Sequence, residues 1–295
     1  MPILLAFVSA LVYGIADYCG GRATRRNPAV LVALVGQAVS LLLMGVAVAV
    51  MGDPVPRAAT LIWGIAGGVT GSIGLLCLYF ALANGEMTVV APIASVVGAT
   101  LPVIVGLASG ERPEVVGYLG IALAVVAVAL ISGLLGSRSS STRPMVMGAA
   151  ALAGLGFGGL FVALDRAADD AGLWPLLATR VASVPMLGAL VVSAAVRARR
   201  SPGATSARPV SCAGWRHRGL GLACLAGVLD NFANVLYLLA TRGGLLSIVA
   251  VVSSLYPAST IALAFVIDRE RIHRAQVIGL VTAGGALVLV TLGRG

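Results

Sequence analysis

Ionisable side chains are scarce inside the apolar stretches of this 295-residue sequence, so the few that occur there are the first candidates for chemistry. Asp230 lies in the middle of one such stretch, followed by Asn231 and, four residues on, by Asn234. In a helix Asp230 and Asn234 share a face. A carboxylate beside an amide can carry a proton or hold a substrate ammonium group when that face meets water. Asn231 serves equally well as a polar bridge to a neighbouring helix. Arg180 stands about a turn and a half into another stretch. It stays charged, so it grips a substrate carboxylate bidentately, pairs with Asp230, or extends toward the nearer surface. Asp17 follows Tyr13 by one turn, an acid and a hydroxyl on one face, which makes a second proton-carrying candidate or a solvated helix end. Gln37, Tyr79, Ser95, Ser254 and Tyr256 could line a polar cavity or bond helix to helix.

Other chemistry lacks its residues. His217 and His273 fall in expected loops without an HExxH partner, and Cys19, Cys77, Cys212 and Cys224 form no CxxC pair. Neither a metal site nor a cofactor is therefore expected. The glycine-rich run from Gly154 to Gly159 has no GxxxxGK[ST] pattern to cradle nucleotide phosphates. An intramembrane enzyme would need a constellation of acids and bases that is missing, and a channel would need a regular ring of pore-lining residues.

The elements that must position these residues follow from composition. Hydrophobic types make up 59% of the chain and charged types 11%, far below the roughly one quarter of a soluble domain. An outside solvated by lipid explains the gap. The net charge of +9 would suit a nucleic-acid partner in a soluble protein. Here the arginines sit in short segments between apolar runs, such as Arg22, Arg25 and Arg26 or Arg197, Arg199 and Arg200, as charges that set membrane topology do, and no nucleic acid is expected. Spans of about 20 apolar residues are expected near 3–20, 29–51, 59–83, 88–109, 116–136, 145–164, 175–196, 219–241, 245–267 and 276–293. The apolar run from Pro2 to Tyr18 has no preceding basic residue and no clear cleavage site, and reads as a first span. Gly64, Gly67, Gly68, Gly71 and Gly74 give the third span small-xxx-small spacings for close helix packing.

A shift of 159 residues places Glu111 on Glu270 and Arg112 on Arg271, and with them Gly68 on Gly227, Gly85 on Gly244, Ser95 on Ser254 and Gly120 on Gly279. The expected architecture is an all-α integral membrane protein of about ten transmembrane helices in two five-helix repeats, 1–136 and 145–295. Five is odd, so the second copy enters the membrane from the opposite side, and the repeats are inverted. Ser95 and Ser254 are then expected at equivalent positions facing the interface between the halves.

These residues also carry a family resemblance. The run Gly85 to Gly120, with Pro92, Pro102 and Gly110-Glu111-Arg112, and its second copy with Ser254-Leu255-Tyr256-Pro257 and Arg269-Glu270-Arg271, resembles the EamA type of the drug/metabolite transporter superfamily over nearly the whole chain. The resemblance implies ten helices, a central cavity lined by the first four helices of each half, and passive or proton-coupled export of a small metabolite, often an amino acid. The expected function is a secondary transporter of a small polar metabolite such as an amino acid or amine, multi-pass in a bacterial inner membrane, with protons as a candidate co-substrate. A passive facilitator is the alternative, and an intramembrane enzyme a more distant one.

Charge and resemblance disagree on orientation. The side holding Arg22, Arg25, Arg26, Arg138, Arg143, Arg208, Arg216, Arg218 and the Arg197–Arg200 cluster is cytoplasmic by the positive-inside rule. That leaves both termini outside, whereas the family commonly keeps them inside. On the charge reading the loop containing Cys212 is cytoplasmic, so a membrane-impermeant thiol reagent added to intact cells should leave Cys212 unlabelled. Rapid labelling would reverse the orientation.

Overall fold

Lipid cannot hydrogen-bond a peptide group, so a spanning chain must satisfy its backbone within each segment, and a helix does so. A computed structural model describes residues 1–25, 27–131, 144–167, 171–200, 217–269 and 274–292. They form helices and, among the described residues, no strand. In chain order the helices are α1 (Pro2–Thr24), α2 (Ala29–Met51), α3 (Ala58–Asn84), α4 (Met87–Ala108), α5 (Val115–Ile131), α6 (Pro144–Asp165), α7 (Trp174–Arg200), α8 (His217–Thr241), α9 (Leu246–Ser253), α10 (Pro257–Asp268) and α11 (Arg274–Leu292). Eight stretches among them are long and apolar enough to cross a membrane, α9 and α10 counting as one, while the apolar parts of α5 and α11 are shorter. The protein is a multi-pass membrane protein. Its outward faces are apolar, as with Leu42, Val46 and Val50 at one-turn intervals along α2. Glu270 and Arg271 of the second copy's motif lie outside the described residues, as do His273, Arg26, Arg138, Arg143, Arg208, Cys212 and Arg216. His217, expected in a loop, is the first residue of α8.

Local sequence sets the helix ends. Gly52 closes α2 in the left-handed conformation that glycine adopts without strain, and Pro2 and Pro257 open α1 and α10, where a missing N–H costs nothing. Pro257 also divides the single span expected over 245–267. It has no N–H to offer the preceding turn, and the chain passes from Ser254 to Tyr256 through tight turns in which Leu255 donates to Val252 and Ala258 to Leu255. The start of α9 is capped from outside: Glu111 accepts the Leu246 N–H on Oε1 (2.6 Å) and the Ser247 N–H on Oε2 (3.0 Å). A carboxylate suits the positive end of a helix.

Packing pairs recur between the halves. Helix α1 packs on α8 as α3 packs on α6, and α2 packs on α8 as α3 packs on α7. Likewise α4 packs on α6 and α1 on α9 and α10, while α2 meets α7, α4 meets α9 and α10, and α5 meets α11. Exchanging each helix for its counterpart one repeat away returns the same set. Hydrogen bonds repeat too: Ser40 Oγ donates to the Gly227 carbonyl (2.7 Å) and Ser183 Oγ to the Gly68 carbonyl (3.3 Å).

Among the glycines of α3, Gly68 makes the tightest contact. At Gly68 a Cβ would overlap the Thr179 carbonyl oxygen and crowd Ala182, backbone and side chain of α7 that cannot simply rotate away, whereas Gly45 has open space. Gly68→Ala is expected to lower stability by about 1–3 kcal/mol, with Gly45→Ala neutral or slightly stabilising. Thermal unfolding of the purified variants in detergent measures both, and equal melting temperatures would contradict the close approach.

Candidate functional site

The close approach of α2 and α8 at Gly36 and Gly227, where a Cβ on Gly227 would overlap the Gly36 carbonyl, sets the residues just beyond it side by side. Those are Gln37 and Asp230. Arg180 of α7 joins them, Nη1 donating to Gln37 Oε1 (2.8 Å) and Nη2 to Asp230 Oδ2 (3.0 Å). Arg180 is 4% exposed, so it does not reach for the surface; of the three sequence readings, the pair with Asp230 is the one observed. The Asp230 side chain keeps 25% exposure, because it faces a cavity rather than a dry contact.

That cavity has two adjoining chambers that share Asp230, Leu75, Phe157 and Leu160. The first carries Gln37, Arg180, Ser72, Thr179 and Ser183 above a floor of Gly67, Gly68 and Gly71. Its hydroxyls are spent on backbone carbonyls, Ser72 on Gly68, Thr179 on Leu176 and Ser183 on Thr179. The second is lined by Tyr13, Asp17, Tyr256 and Phe161. Asp17 is buried there, not solvated at a helix end. The Tyr13 hydroxyl is buried without a partner. Its ring leans on Phe161 at 5.9 Å, and Phe161 stacks on Tyr237 at 4.2 Å.

The other expected residues are placed differently. Asn234 donates from Nδ2 to the Asp230 carbonyl oxygen (2.7 Å), and its Oδ1, like that of Asn231, is buried without a partner; neither lines the chambers. Tyr79 is buried against Gly20, where a Cβ would overlap its ring. Ser95 donates to the Ser254 carbonyl, Ser254 to Ala250 (2.7 Å), and the Tyr256 hydroxyl to the Ala91 carbonyl (3.4 Å). The two serines therefore meet each other and hold helices together. Sequence reasoning missed Leu75, Phe157, Leu160 and Phe161, ordinary apolar residues with no signal of their own. It also missed Tyr237, whose signal was its place seven residues after Asp230 on the same helix face.

The model of the EamA-like transporter family matches the chain twice, over residues 1–133 and 145–292. No curated protein matches. Among solved structures, one described only as the crystal structure of a protein is similar over 99% of this chain and 98% of its own, with 17% sequence identity and a TM-score of 0.68. It shares the fold.

A buried guanidinium and carboxylate are mutually dependent, since removing one leaves the other uncompensated. Arg180→Leu is expected to lower stability by about 3 kcal/mol, and adding Asp230→Asn should recover part of that loss. Unfolding of the single and double variants tests the pairing: purely additive losses would mean that the two side chains do not depend on each other.

Proposed function

The chain belongs to the EamA-like transporter family, and from that membership and the site we propose that it is a secondary transporter. It exports a small polar metabolite such as an amino acid or amine across a bacterial inner membrane, by alternating access between two inverted five-helix repeats, 1–136 and 145–295. The observation that carries this reading is the charged cluster at a cavity built from both halves. Tyr13, Asp17, Gln37 and Leu75 come from the first, and Phe157, Arg180, Asp230 and Tyr256 from the second. Ionisable groups inside a membrane protein are costly and mark pathways, and a site at the repeat interface changes its access when one repeat rocks against the other.

The inverted arrangement, with ten spans once α5 and α11 are included, is supported by four contacts. Ser95 bonds the carbonyl of Ser254, its own counterpart 159 residues on, as happens where two equivalent segments cross a two-fold axis. The bonds from Ser40 and Ser183 end on Gly227 and Gly68, another pair in the same register. Their own offset of 143 residues matches Gln37 with Arg180, again a contacting pair. Transport needs no resident cofactor, and membership of a transporter family speaks against an enzyme. Coupling to protons is supported by two carboxylates, Asp17 and Asp230, on one chamber.

Reconstituted into liposomes, the protein should give saturable, counter-flow-competent movement of a small polar solute. Asp230→Asn, whose amide oxygen can still accept from Arg180, should stay folded at lower stability and abolish that flux or its dependence on pH, and Asn234→Ala, by removing the amide that donates to the Asp230 carbonyl, should raise the half-saturation concentration. Normal flux in both variants would move the site away from α8.

A further inference from the structure

We propose that Asp17 seats a single cationic group, the ammonium of an amine with an apolar body, in exchange for a proton; this rests on the transporter reading of the same cavity. The charges of the cavity do not balance. It holds Asp17, Asp230 and Arg180, and both terminal nitrogens of Arg180 are engaged, one by Gln37 and one by Asp230. Asp17 is 9% exposed, yet it lines the second chamber, and among the described residues it has neither a hydrogen bond nor an ion pair. The groups that face it are Tyr13 on its own helix, Tyr79 of α3, Tyr256 before α10 and Asp230 of α8. α2 contributes Gln37, already bound to Arg180. None of these is a free cation, and the nearest charge is a second carboxylate. A carboxylate so enclosed is stabilised by taking up one positive charge.

The Tyr13 hydroxyl, nine-tenths buried and without a partner, is one turn before Asp17 on the same chamber and can accept a hydrogen bond from an ammonium group. The rest of the lining is apolar: Leu75, Phe157, Leu160 and Phe161. They suit a hydrocarbon or aromatic body. An amino acid would bring a carboxylate as well, and the one guanidinium of the cavity already gives both terminal nitrogens to Asp230 and Gln37, leaving only its buried Nε and no fork for a second carboxylate. The site therefore favours an amine over the amino acid with the same side chain. When the amine binds, the Asp17 proton leaves and the ammonium takes its place, so the charge of the cavity is unchanged.

Phenethylamine and phenylalanine share a body and differ in the carboxylate, which makes them the probes. In titration calorimetry on the purified full chain in lipid nanodiscs, phenethylamine should bind with proton release, seen as a heat that varies with buffer. Binding should weaken as pH falls, because a protonated Asp17 no longer attracts a cation while the amine keeps its charge. Phenylalanine should bind about tenfold or more weakly. Asp17→Asn should weaken phenethylamine by a similar factor and remove the proton release, and Asp17→Glu should keep both. Phenylalanine binding as tightly as phenethylamine, or an unchanged Asp17→Asn variant, would overturn the proposal. If Asp17→Asn fails to fold, the proton release of the unmodified protein and the Asp17→Glu variant still decide. Saturable flux of some solute without phenethylamine binding would sink this inference and leave the transporter standing, whereas amine binding without flux of any solute would do the reverse.

Discussion

A guanidinium cannot shed its charge, so burying Arg180 between helices obliges the surrounding fold to answer it. The answer comes from two other helices, Gln37 of α2 and Asp230 of α8. Those helices can approach closely enough because glycine faces glycine at Gly36 and Gly227. Around α7, Gly64 and Gly68 of α3 do the same, meeting Pro175, Ala178 and Thr179. Small residues and one charged cluster thus fix the centre of the molecule together, the first by permitting contact and the second by requiring it.

The two halves share a scaffold but not a chemistry. Position 230 of the second half corresponds to Gly71 of the first, which lies against Leu160 and carries no charge. Gln37 and Arg180 face each other from corresponding places, one neutral and one cationic. Divergence at such positions makes the cavity unequal: the first half brings Asp17, and the second brings Arg180, Asp230 and the rings of Phe157 and Phe161.

Much of the fold was legible in the sequence because membrane insertion leaves a coarse record: apolar runs of span length, punctuated by Pro, Gly and Arg. The division of the ninth span was not read, although Pro257 was in view, because proline inside a membrane helix does not always break it; Pro92 and Pro102 lie within α4. At the site, Asp230, Arg180, Gln37, Asp17, Tyr13 and Tyr256 were legible as polar residues in an apolar setting. The pair of Arg180 with Asp230 was one of three readings, but the contact of Gln37 with Arg180 was not legible, since it spans 143 residues and depends on how helices cross. Tyr79, Ser95 and Ser254 carry the same sequence signal and are instead consumed by packing, a distinction that only neighbours can make. Phe157 and Leu160 form walls of the cavity and are indistinguishable in sequence from residues that face lipid.

The bridge from Glu111 to the first amides of α9 has a mechanical side. Two oxygens of one carboxylate hold two successive peptide groups, so α9 cannot swivel on that bridge without losing one bond. Gly106 leaves room for the carboxylate, since a Cβ there would overlap it. The turn after α4 and the beginning of α9 are therefore joined at two points rather than one. From that joint α9 runs unbroken to the stretch from Ser254 to Tyr256, where regular helical bonding is interrupted. The one interruption of that span thus falls beside the ring of Tyr256 on the second chamber, and the stretch between the Glu111 joint and the chamber is a single rigid turn of helix after another.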